Sequence, residues 1–212
     1  MYHGNLPLTN KKATMDTAIK KFTEADIDAA FELARATQKP LLIDFWNTDC
    51  KGCQRMDAVT YEDAAVQEYL DQHYVLVKYH AAKITRDFIK AYLPNALQWT
   101  PALYIYSPDG AVVRNVSGYL SPKQFIIELS IGHGAMLMRK GKHAEALTHF
   151  SNLTIAAAYP VLDQEAMYWA GVAAFFANRK DFRDIVPYWN KLLATYPGST
   201  WAEKADILPA VN

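Results

Sequence analysis

Both cysteines of this 212-residue chain fall in one tetrapeptide, Cys50-Lys51-Gly52-Cys53. An apolar, aromatic run of strand length, Leu41-Leu42-Ile43-Asp44-Phe45-Trp46, stands just before it. That run predicts a buried central strand, and the residues after the cysteines predict a helix from Cys53 to about Thr60. A pair of sulfurs between a buried strand and a helix has three chemical explanations. A structural zinc site needs four Cys or His ligands, usually as two close pairs. Here there is one pair, and the six histidines show no ligand spacing; His143 and His149 lie six apart, on different helix faces. A structural disulfide across two intervening residues closes a very small loop, where the gain from restricting the unfolded chain is least. A redox pair suits the context better. A thiolate at a helix start meets unpaired N–H groups and the positive end of the helix dipole, which favours its ionised form. Cys50, earlier and more open, is then the expected attacking sulfur. Cys53, one turn in, is placed to resolve a mixed disulfide. Lys51 adds positive charge beside them and Asp49 opposes it.

Composition excludes several other functions. Lys plus Arg and Asp plus Glu each number 22, so the net charge is zero. No basic excess is left to meet nucleic acid or an anionic membrane. No apolar run approaches the ~20 residues that span a bilayer. The first 22 residues lack the apolar core of a secretory signal. The expected compartment is the cytoplasm, or the periplasm if a signal has been removed.

The pattern along the chain alternates. Residues 1–22 show no clear period and read as a loose arm. A helix follows from Thr23 to Lys39, with Thr23 and Asp26 spaced as a capping box and Pro40 as its stop. Leu41–Trp46 is the first strand. Helices are expected over Cys53–Thr60 and Ala64–Gln72, a strand over Tyr74–Tyr79, and a helix in "TRDFIKAYL". The strand Ala102–Ser107 turns through Pro108-Asp109-Gly110 into "AVVRNVSGY" as a hairpin. Ser121 and Pro122 then open a last helix. Strands alternating with helices and ending in a hairpin imply an α/β sandwich with a mixed sheet. From about Gly141 the pattern is purely helical. "GKHAEALTHFSNL" and "KDFRDIVPYWNKL" match at a spacing of 39, and each leads to Tyr-Pro, at Tyr159-Pro160 and Tyr196-Pro197. Such a repeat is the signature of helical hairpins.

On these residues a family resemblance can be stated. "KPLLIDFWNTDCKGC" resembles the active-site segment of thioredoxins. "WTP", Trp99 to Pro101, resembles their second landmark, where a cis-proline faces the cysteines. "MDAVTYEDAAVQEYL" followed by "YVLVKYHA" is similar to the C-terminal domain of DsbD and related thioredoxin-like proteins. The resemblance covers about Phe22 to Leu129. It implies a three-layer sandwich with a mixed central sheet over residues 23–132, after the arm 1–22 and before a small all-α helical-hairpin domain over 133–212. It implies Cys50 as nucleophile and Cys53 as resolving thiol. Asp44 matches a buried carboxylate that aids proton transfer at the second cysteine, and Lys78 a lysine paired with it. Thr100 and Pro101 would form a ledge for a substrate peptide, with Trp46, Lys51 and Gly52 beside it. Two departures bear on docking and redox potential: Asp49 replaces the tryptophan before the first cysteine, and Lys51-Gly52 replaces Gly-Pro. The C-terminal stretch resembles tetratricopeptide repeats at Gly171, Trp189, Leu192 and Pro197, with two residues inserted around Asn178–Asp181.

The function implied is a thiol–disulfide oxidoreductase acting on protein disulfides. It needs no bound cofactor and no metal, because electrons arrive from an upstream reductase or thiol donor. The alternative is an adaptor or chaperone-like protein whose helical repeat binds a peptide or protein partner, with the dithiol as a switch or a vestige.

Overall fold

The computed structural model describes residues 21–155 and 157–207. Within them, strands β1 (Lys21–Thr23), β2 (Leu41–Trp46), β3 (Val75–His80), β4 (Ala102–Tyr106) and β5 (Val112–Ser117) form one sheet in the order β1-β3-β2-β4-β5. β1 and β2 run parallel to β3; β2 with β4, and β4 with β5, are antiparallel. The sheet is mixed, as expected. The arm expected over 1–22 lies mostly outside the described residues, but its last two, Lys21 and Phe22, belong to β1.

β2 is flanked on both sides, and its residues from Leu41 to Phe45 are buried. Successive strand residues face opposite ways. Leu41, Ile43 and Phe45 therefore pack on one face with Phe31, Phe88 and Tyr104. That face is covered by α1 (Ile27–Thr37) and α4 (Arg86–Tyr92). Leu42 faces the other side, with Met56, Leu70, Phe125 and Leu129. This second face lies under α2 (Lys51–Arg55), α3 (Ala64–His73) and α5 (Pro122–Arg139). Asp44 shares the face of Leu42, and so points toward the cysteine helix.

Side chains start these helices where the sequence placed them. Asp63 accepts from the N–H groups of Ala65 and Val66, Thr85 from Phe88, and Ser121 from Gln124. Thr23 donates to the Asp26 carboxylate from both its N–H, at 3.2 Å, and its hydroxyl, at 2.9 Å, but around a separate 3-10 turn, Glu24–Asp26, that precedes α1. In the hairpin, Gly110 takes a φ of 89° and donates to the Ser107 carbonyl at 2.8 Å; a positive φ there suits glycine.

The expected boundary between residues 132 and 133 falls inside α5, which runs unbroken across it. The reason is that α5 is apolar on two sides. Phe125 and Leu129 serve the sheet core. Ile131, Met136 and Leu137 serve a third core with α6 (His143–Asn152) and α7 (Pro160–Ala177), built from Phe150, Ala166 and Ala170. α8 (Val186–Thr195) and α9 (Thr200–Ala205) close a fourth core around Trp189, Leu192 and Ala202. The two matching stretches become α6 and α8. Pro187 stands in the first turn of α8, where it removes no helix hydrogen bond. At the insertion between them, Arg179 and Lys180 adopt φ of 61° and 63°.

Polar groups also tie the layers. Arg114 on β5 binds Glu128 on α5 at 2.6 Å and Glu165 on α7 at 2.7 Å. His73, His133 and His149, from α3, α5 and α6, line up with ring centroids 5.8 and 5.1 Å apart. Among the described residues no helix is long and apolar enough to cross a membrane.

Candidate active site

Cys50 is the residue that caps α2. Its Sγ accepts the Cys53 N–H at 3.0 Å and is bonded to Cys53 Sγ at 2.05 Å. Cys53 is only 2% exposed, whereas Cys50 is half-buried. The outer sulfur therefore faces the solvent side and the inner one the core, the asymmetry that the spacing predicted.

Cys50 opens on a groove. One wall carries Asn47, Asp49, Lys51 and Gly52; the other carries Trp99, Thr100, Pro101 and Tyr119. The Thr100–Pro101 peptide is cis. The two walls approach closely at Gly52: a Cβ built there would lie 2.8 Å from Pro101 Cδ. Glycine at this position is a steric requirement of the groove.

Beneath the cysteine helix lies a polar cluster. Asp44 is 1% exposed. Its Oδ2 accepts from Lys78 Nζ at 2.7 Å and from the Tyr61 hydroxyl at 2.8 Å. Its Oδ1 is buried without a hydrogen-bond partner. Lys78 reaches a second carboxylate, Asp57 Oδ1, at 2.8 Å. It also lies 4.6 Å from the centre of the Tyr61 ring. Burial opposes the charge on Lys78, but Asp44 and Asp57 outweigh it and hold the ammonium above its usual value. Burial, reinforced by the Asp44 charge, keeps the Tyr61 hydroxyl protonated far beyond its ordinary range.

The pairing of Asp44 with Lys78 follows from sheet register, since the two are direct partners across β2 and β3. Tyr61 and Asp57 come from a different device. After α2 the chain widens into a π turn, Met56–Thr60, closed by the Tyr61 N–H donating to the Met56 carbonyl five residues back. π turns are uncommon and recur at functional sites. Sequence periodicity reads this segment as plain α-helix and gives no signal for Asp57 or Tyr61. Trp46 departs from expectation. It does not line the groove; its indole packs edge-on against His80, its β3 neighbour, at 4.5 Å. The remaining expected residues of the groove, Lys51, Gly52, Thr100 and Pro101, are brought together there with Cys50.

The family model of a thioredoxin-like domain matches residues 27–131. Those residues form a thioredoxin-like domain. The thioredoxin-like domain is similar to several solved structures. One is the oxidised C-terminal domain of DsbD from Neisseria meningitidis, at 22% identity over 50% of this chain and 94% of that one, TM-score 0.42. Another is a thioredoxin from Thermus thermophilus, at 19% identity over 59% and 95%, TM-score 0.48. A disulphide isomerase from Xylella fastidiosa Temecula1 shares 22% identity over 43% and 70%, TM-score 0.38. No curated protein matches the chain.

Proposed function

We propose that this protein is a thiol–disulfide oxidoreductase that reduces disulfides in polypeptides. The observation that supports this most directly is the Cys50–Cys53 disulfide, with one sulfur buried and the other opening on a groove at a helix start. In the reduced protein the Cys53 N–H that now meets Cys50 Sγ would stabilise a thiolate there, because a hydrogen bond to the charged form favours it. The Cys50 thiolate attacks one sulfur of the substrate disulfide. A Cys50–substrate bond forms, the substrate S–S bond breaks, and the first substrate thiolate leaves and takes a proton. Cys53 then gives its proton to the buried carboxylate of Asp44 and attacks Cys50 Sγ. The mixed disulfide breaks, the second substrate thiol leaves, and the Cys50–Cys53 bond is restored. Two electrons pass from the protein dithiol to the substrate, and an external dithiol or a partner reductase returns them.

Insulin reduction driven by dithiothreitol tests this. The wild-type protein accelerates the reaction, Cys50→Ser falls to the rate of dithiothreitol alone, and Cys53→Ser accumulates a mixed disulfide with insulin. Equal rates for wild type and Cys50→Ser would reject the reading.

A further inference from the structure

Trp99 is 70% exposed, the most exposed large apolar side chain among the described residues. Single apolar residues on a surface are ordinary. The position of this one is not, because it lines the groove that holds Cys50. The cysteine-side wall of that groove is polar or bare: Asn47, Asp49, Lys51 and Gly52. Across from it, the Tyr119 ring is already covered on one side by the Arg55 guanidinium, 4.5 Å from its centre. Trp99 is thus the large apolar surface left uncovered beside the sulfur. Next to it, the backbone N–H and C=O of Thr100 take no partner among the described residues. An extended chain can bond to such a free main-chain pair as an added strand, which leaves its side chains to be read by the walls.

We infer that Trp99 sets substrate specificity. The groove takes extended polypeptide disulfides that carry a large apolar side chain within two residues of the attacked cysteine, and that side chain covers the indole. This rests on the oxidoreductase reading of the same groove. It adds a preference that the sulfur chemistry alone does not have, since Cys50 and Cys53 exchange with any disulfide that reaches them. An indole face is well suited to the task, because it offers a large rigid contact area with few torsions to order.

The test uses the full chain, recycled by dithiothreitol, and two synthetic peptides with one internal disulfide each. They are identical except for Leu or Asp beside one cysteine. Wild type is expected to favour the Leu peptide by about tenfold in kcat/KM, with the difference carried by KM. Trp99→Ala brings that ratio close to one, and Trp99→Phe keeps most of it. A wild-type protein that treats the two peptides alike, or a Trp99→Ala variant that retains the preference, overturns the inference while leaving the oxidoreductase reading intact. If wild type reduces neither peptide faster than Cys50→Ser does, the functional reading falls, and the specificity inference falls with it.

Discussion

Asp44 carries the sharpest energetic tension among the single residues of the site. A carboxylate this deeply buried is tolerable because Lys78 and Tyr61 both meet the same oxygen. Removing one partner of a buried ion pair usually costs about 3–5 kcal/mol, since the remaining charge stays in a poor solvent. Lys78→Met keeps the aliphatic stem and deletes the charge. It is expected to lower the unfolding free energy in urea by about 3 kcal/mol at pH 7. Adding Asp44→Asn should return part of the loss, because the orphaned charge goes too. A Lys78→Met protein as stable as wild type would show that Lys78 is not neutralising Asp44. Of this cluster, the Asp44–Lys78 pair was expected only from the resemblance to thioredoxins, in which a lysine meets the buried carboxylate; the register that makes the two partners joins strands 34 positions apart. Tyr61 and Asp57 were not expected, because their positions depend on one extra residue in a helical turn. No apolar period records that residue.

The elements show the same division between local and distant causes. β2, α5 and the β4–β5 hairpin were readable from short signals such as an apolar run, a Ser121 cap and a Pro-Asp-Gly turn. β1 was not. Three residues carry too little pattern, and their pairing with β3 is decided by a partner more than fifty positions away. That α5 crosses the expected boundary between residues 132 and 133 was not legible, for a related reason. The purely helical pattern of the C-terminal stretch suggested a separate domain from residue 133, while the helix itself serves both sides. Its small residues mark the close contacts. A Cβ at Gly134 would lie 2.3 Å from Phe150 Cζ, at the crossing of α5 and α6. Alanine is the better helix former by about 1 kcal/mol, but the Phe150 ring is enclosed and cannot swing aside. Gly134→Ala is therefore expected to destabilise the protein by about 1–3 kcal/mol through overpacking. A denaturation midpoint at or above wild type would mean that the α5–α6 contact can open to take the methyl.

For the whole molecule, the histidines between the layers tie stability to acidity. Burial, with His149 and His73 adding to it, pushes His133 down to about 4. Burial also lowers His73, helped by Lys39 and His149. It lowers His149 despite the Ser130 carbonyl that its ring meets. Glu145 favours and Lys142 opposes the charge on His133. In an unfolded chain these rings titrate near 6.5. Between that value and the folded ones, the unfolded state binds more protons. The contribution is therefore complete above about pH 6.5 and is lost as the pH falls toward 4. For His133 the gap from 6.5 to about 4 corresponds to roughly 3 kcal/mol at its fullest. Urea midpoints measured from pH 7 to 4.5 should fall, and His133→Gln should flatten the slope. An unchanged slope in that variant would place the acid sensitivity elsewhere.

α5 has a consequence for how this protein could be taken apart. Its 18 residues span about 27 Å as a single rod, and each end is rooted in a different core. A cut at residue 132 would strip the sheet of a covering helix and the helical tail of its first wall in one stroke. The tail is therefore no detachable cassette: a chimaera that borrows it must borrow the rod, and the rod comes with the sheet.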